Sequence, residues 1–121
     1  MLLIYVGIKK TSSVPLEPSV EVPMSITAKQ FHRDYQANEA RADEKYKGKL
    51  LTVTGNVASI DKDLWGNSII QLSTGDMFDD VRIKLASRNE SWAASLNKGE
   101  LVTINCRGGI MVIGSPGCDQ E

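Results

Sequence analysis

Lys49-Leu50-Leu51-Thr52-Val53-Thr54-Gly55-Asn56-Val57-Ala58-Ser59-Ile60 is the stretch on which the fold turns. Leu51, Val53, Gly55, Val57 and Ser59 alternate with Thr52, Thr54, Asn56 and Ala58, and Ile60 follows. A period of two places one set against a core and the other toward solvent, so the segment predicts a long β-strand. Gly55 inside such a strand marks the bend at which a small barrel turns its corner.

Downstream, strand and turn signals continue at short intervals. Asp61 to Asn67 reads as a turn, Ser68 to Ser73 as a second strand and Thr74-Gly75-Asp76 as another turn. Asp80 to Leu85 gives a third strand with Val81, Ile83 and Leu85 inward. Ser87 to Leu96 suits a short helix carrying Trp92, Ala93 and Leu96 on one side. After the Asn97–Glu100 turn, Leu101 to Cys106 reads as a fourth strand and Ile110 to Ile113 as a fifth. Three strands, a helix and two further strands is the connectivity of a five-stranded OB-fold Greek-key barrel, a mainly β class.

Upstream of the barrel the period becomes helical. Ala28 to Tyr46 has neither Gly nor Pro, and Phe31, Tyr35, Asn38, Ala42 and Tyr46 recur at spacings that put them on one face. Ser25 or Thr27 can cap its start, with Gln30 completing a capping box after Thr27, and Gly48 supplies the stop. This predicts one amphipathic N-terminal helix docked on the barrel through an aromatic stripe. Before it, Pro15, Pro18 and Pro23 among Ser and Glu residues read as an extended linker. Residues 1–25 are thus an apolar start plus Pro-rich linker, and residues 26–118 the OB-fold domain with its preceding helix. The apolar run Leu2 to Ile8 is too short to span a membrane and its lysines follow it, the reverse of a signal peptide, which leaves the remnant of a clipped or mis-started export signal, or a strand, as its readings.

Tyr35 to Lys49, running into Leu51-Thr52-Val53-Thr54-Gly55, resembles the tRNA-anti-like family of small bacterial OB-fold proteins. Asn97 to Cys106 and the ending at Cys118 share the likeness, which covers Ile26 to Cys118. The resemblance implies an OB-fold with a preceding helix, often exported, a cysteine pair near the end, and the nucleic-acid binding assigned to lipoproteins of that family. No Leu-x-x-Cys lipid-attachment box stands near the start of this chain.

Charge bounds the function. Lys and Arg number 14 against 15 Asp and Glu, for a net charge of −1, so affinity cannot rest on neutralising many phosphates. Trp65 and Phe78 fall on turns beside the second strand, and with Lys62, Arg82, Lys84 and Arg107 they predict a modest face for single-stranded nucleic acid, the aromatics stacking on bases. Asp61, Asp63, Asp76, Asp79 and Asp80 oppose phosphate there. Tyr35, Asn38, Glu39 and Tyr46 form a helix polar cluster best read as packing and bonding to the barrel rather than to a ligand.

Cys106 and Cys118 are either buried thiols or a disulfide; adjacent strand ends would bring them together. A bridge implies an oxidising compartment such as the periplasm or cell envelope, and free thiols the cytoplasm. They lack the Cys-x-x-Cys spacing of catalytic dithiols. With His32 alone elsewhere there is no zinc set, no catalytic triad and no nucleotide loop, so neither metal, cofactor nor enzymatic activity is expected. Two functions follow: a non-enzymatic OB-fold module binding single-stranded nucleic acid, or an exported protein-interaction module of the cell envelope stabilised by its disulfide.

Overall fold

In β2, Leu50–Lys62, the alternation of the sequence becomes alternation of burial: Leu51, Val53 and Val57 are buried while Thr52 and Thr54 lie outward. The structure, a computed structural model, describes residues 21–75, 79–109, 111 and 115–120. The other elements are β1 (Met24–Thr27), α1 (Ala28–Ala37), α2 (Glu39–Tyr46), β3 (Ser68–Ser73), β4 (Asp80–Lys84), a 3-10 turn at Ser87–Asn89 leading into α3 (Glu90–Ala94), β5 (Leu101–Gly108) and β6 (Gly117–Asp119).

Sheet pairing closes a five-stranded OB-type barrel, β2-β3-β4-β6-β5 and back to β2. β2 is long enough to serve two neighbours in turn. Its first half pairs antiparallel with β5 from Leu50↔Arg107 to Asn56↔Leu101, and its second half with β3 from Val57↔Leu72 to Lys62↔Ser68. A register shift between Val57 and Ser59 separates the two pairings, an irregularity of the kind that bends a strand round a barrel corner. Gly55, expected at the bend, precedes that shift in regular register with Val102, and its role is steric: a Cβ there would lie 3.0 Å from Ala28 Cβ and 3.2 Å from Leu72 Cβ, so its absence lets α1 dock.

β1 is a sixth strand, parallel to β2 from Met24↔Leu51 to Thr27↔Thr54. Among the described residues, Glu21 already contacts the barrel. Its carboxylate accepts from the Leu50 N–H at 3.0 Å and from Arg107 Nη1 at 3.0 and 3.2 Å. Those bonds hold the Glu21 carboxyl below the usual range, the Leu50 N–H contributing most and Arg107 next. Positions 21–25 of the Pro-rich linker therefore carry contacts to the barrel, whereas the apolar start, Leu2 to Ile8, lies outside the described residues.

Ile110 to Ile113, expected as the fifth strand, falls outside the described residues except for Met111, which packs against the core without being part of a strand. Within the described residues the barrel closes through Gly117–Asp119 instead. This strand lies parallel to β4 and antiparallel to β5, and Cys118 is bonded to Cys106 (S–S 2.00 Å, Cα–Cα 5.5 Å). The disulfide joins the end of β5 to the short strand beside it, supplying what three residues of ladder cannot.

The segment expected as one helix is two. Asn38 leaves the helical conformation (φ −167°, ψ 102°); its backbone N–H closes α1 on Asp34 O at 3.2 Å, and its Oδ1 accepts the Arg41 N–H at 3.0 Å to open α2. Local side-chain capping thus outcompetes helix continuation at this residue. Phe31, Tyr35, Ala42 and Tyr46 remain on the buried side across the break, but Asn38 is exposed. Phe31 meets Tyr35 edge-on at 5.5 Å and Tyr46 at 5.1 Å between ring centroids. Replacing the cap, Asn38→Ala, is expected to lower stability by about 1 kcal/mol. Thermal unfolding checks this, and a loss of no more than about a tenth of that would contradict the capping account.

Candidate nucleic-acid interface

Outward positions of β3 and β4 build a small face. In register across the strands, Ser59, Gln71 and Arg82 form one row, and Asp61 and Lys84 flank Ile69 in the next, with Ile69 itself buried. Neighbouring strands lie about 4.8 Å apart and successive rows about 6.7 Å along the strand, so these groups share a patch of nucleotide size. Arg82 and Lys84 make no side-chain hydrogen bond and no ion pair among the described residues. The alternation Val81-Ile83 in, Arg82-Lys84 out is read directly from the sequence.

At the end of the second row, the β2–β3 turn holds two apolar side chains in solvent. Leu64 is 94% and Trp65 83% exposed. The turn beneath them is fixed: Asp63 Oδ1 accepts the N–H groups of Trp65 (2.9 Å) and Asn67 (2.8 Å), Asp63 N–H donates to Asn67 O (2.9 Å), and Gly66 takes φ +84°. Partial desolvation pushes the Asp63 carboxyl up, but the bonds from Asn67 and Trp65 and the charge of Lys84 outweigh it and hold it below the usual range. Trp65 is therefore presented on a rigid turn.

The remaining expected members are elsewhere or engaged. Lys62 Nζ pairs with Glu90 Oε1 of α3 at 2.8 Å and donates to Gly66 O at 3.3 Å. Bonds from Lys62 and Ser68 hold the Glu90 carboxyl below the usual range. Arg107 is separated from Lys84 by the Asp119 position of β6, and its Nη1 binds Glu21 and Gly48 O (2.9 Å). Phe78 lies outside the described residues. Of the six expected residues, Arg82 and Lys84 share the outward side of β4, and Trp65 stands on the turn that joins β2 to β3. Gln71 and Ser59, which were not singled out, stand in the row of Arg82, and the outward parity of Gln71 in Ser68–Ser73 was the available signal.

In the helix cluster, Tyr35 OH donates to Asp43 Oδ1 at 2.8 Å and Tyr46 OH to Asp34 Oδ2. Burial, then the carboxylate each hydroxyl faces, raises both phenol pKa values above their ordinary range. Glu39 is exposed in the first turn of α2. His32, whose position reads as surface helix, is 2% exposed, with Nε2 3.6 Å from Asp79 Oδ2. Burial and the neighbouring Asp79 charge push the Asp80 carboxyl up, against the influence of His32. Asp76 lies outside the described residues, and among those described no group of three or more His, Cys, Asp or Glu side chains converges to hold a metal. No described helix is long and apolar enough to cross a membrane.

Among solved structures, a putative nucleic acid-binding lipoprotein from Klebsiella pneumoniae subsp. pneumoniae is similar to this chain at TM-score 0.63 and 21% identity, over 78% of this chain and 87% of the other. An OBody bound to hen egg-white lysozyme aligns at TM-score 0.52 and 14% identity over 62% and 78% of the two chains. A putative aspartyl-tRNA synthetase from Leishmania major Friedlin aligns at TM-score 0.55 and 9% identity over 89% of this chain and 21% of that one. At these identities the likeness is one of fold. No curated protein matches the chain. Family membership comes from the sequence itself: residues 5–117 match tRNA_anti-like, and the chain belongs to that family.

Proposed function

We propose that the protein is a binding module for single-stranded nucleic acid, acting through the outward face of β3 and β4. Trp65 stacks on a base while Arg82 and Lys84 hold phosphates. The observation that carries this reading is a solvent-exposed indole on a backbone-bonded turn, together with two cations on the adjoining strand pair that form no ion pair within 4 Å among the described residues. An OB barrel uses this strand pair and the turn beside it for oligonucleotides. The family and the similarity to the Klebsiella lipoprotein, itself described as nucleic acid-binding, support the same class of ligand.

Fluorescence anisotropy of labelled single-stranded DNA and RNA tests it. Two phosphate contacts predict a slope of about −1.4 for log K against log salt, far shallower than for a strongly basic binder. Trp65→Ala combined with Arg82→Ala is expected to weaken binding about tenfold or more, since one stacked base is worth about 1–3 kcal/mol. A flat titration at low salt would remove the proposal.

The disulfide favours a second reading, an exported protein-interaction module, because such bridges persist in oxidising compartments. The OBody bound to lysozyme supports the barrel's capacity for protein recognition. This reading predicts no salt-sensitive oligonucleotide binding and a protein partner recovered by site-specific crosslinking from position 65.

A further inference from the structure

Beside the two cations, the same face carries two hydrogen-bond acceptors that the phosphate contacts do not use. Asp61 Oδ2 accepts from Ser59 Oγ at 2.7 Å and from Gln71 Nε2 at 3.0 Å. A carboxylate can only accept, so the amide nitrogen of Gln71 is the atom that faces it. Asp61 Oδ1 and Gln71 Oε1 then have no hydrogen bond among the described residues. They are acceptors on two side chains already joined to each other. Asp61 is exposed, and Ser59 and Gln71 pin the pair in place.

Resting on the nucleic-acid reading, we propose that Asp61 and Gln71 form a base-reading pair that selects an unpaired guanine. Acceptors on two side chains bonded to each other are matched by a ligand edge with two neighbouring donors, and the bases differ in this respect. Guanine alone presents a ring N1–H next to an exocyclic N2 amine. The adenine and cytosine amines are flanked by ring acceptors, and thymine and uracil have one N–H between two carbonyls. Those flanking acceptors would meet Asp61 or Gln71 lone pair to lone pair, leaving polar groups desolvated without a partner. The Asp61 charge also repels phosphate, so the backbone is directed to Arg82 and Lys84 and the base edge to Asp61. Cations position the strand and the acceptor pair specifies the base. Because the edge read is the Watson–Crick edge, a duplex cannot supply it.

The test compares three single strands by anisotropy: an oligo-dT, the same strand with one central guanine, and that strand with inosine in its place. Inosine removes the N2 amine and leaves N1–H. The guanine strand is expected to bind about tenfold tighter than the inosine strand, as for a good two-bond base contact. In Asp61→Asn that preference should fall to parity while oligo-dT binding persists. Equal binding of guanine and inosine strands to the unsubstituted protein would overturn the inference and leave the nucleic-acid reading standing. Retention of the preference in Asp61→Asn would equally overturn the assignment. Failure of all three strands to bind would instead remove the nucleic-acid reading itself. Should Asp61→Asn fail to fold, the guanine–inosine comparison on the unsubstituted protein decides alone.

Discussion

Alanine at Gly108 is expected to destabilise the domain by about 3 kcal/mol or more, the upper end of what overpacking does. The added Cβ would stand 2.1 Å from the carbonyl oxygen of Tyr46 and 2.9 Å from its carbonyl carbon. Both are backbone atoms, so no rotamer change relieves the clash; the end of α2 and β5 must separate. That junction is already bonded on both sides, by Gly48 N–H to Gly108 O and Gly108 N–H to Lys49 O, each 2.9 Å. Moving it also displaces Tyr46, whose ring packs on Phe31. Gly109→Ala is the internal control: its Cβ would find nothing nearer than 3.6 Å, an ordinary contact. Chemical denaturation of both variants checks the prediction, and equal stabilities would refute the close-approach argument.

Removal of the disulfide by Cys106→Ala with Cys118→Ala is expected to cost about 3 kcal/mol, as for a bridge closing a loop of this length. For a domain of this size that lowers Tm by roughly 12–20 °C. The loss should be local before it is global. β6 offers only three residues, paired as Arg82↔Gly117, Ile83↔Cys118 and Lys84↔Asp119 on one side and with Arg107 and Gly108 on the other. Hydrogen exchange should therefore accelerate first at Gly117–Asp119. An unchanged Tm in the double variant, with β6 still protected, would show that the ladder alone closes the barrel. Because β6 flanks β4, the same variant tests whether the Arg82–Lys84 face survives an open seam.

Much of this architecture was legible in the chain because it depends on neighbours a few residues away. The period of two located β2, β3, β4 and β5, and the apolar side of each strand became the core. The break at Asn38 escaped the helical pattern because a cap is decided by one side chain against the preference of many. β6 escaped it because a Gly-Cys-Asp segment has no period at all and depends on a bond to Cys106 twelve positions away.

The site divides the same way. Trp65 on its turn and the outward parity of Arg82, Lys84 and Gln71 follow from local sequence, since turn chemistry and strand alternation are short-range. Which cations remain available does not. Lys62 is committed to Glu90, 28 residues on, and Arg107 to Glu21, 86 residues back. Charge pairing operates through space with little regard for order along the chain, so the sequence determined which side chains point outward, and only the tertiary structure decided which of them have already found a partner.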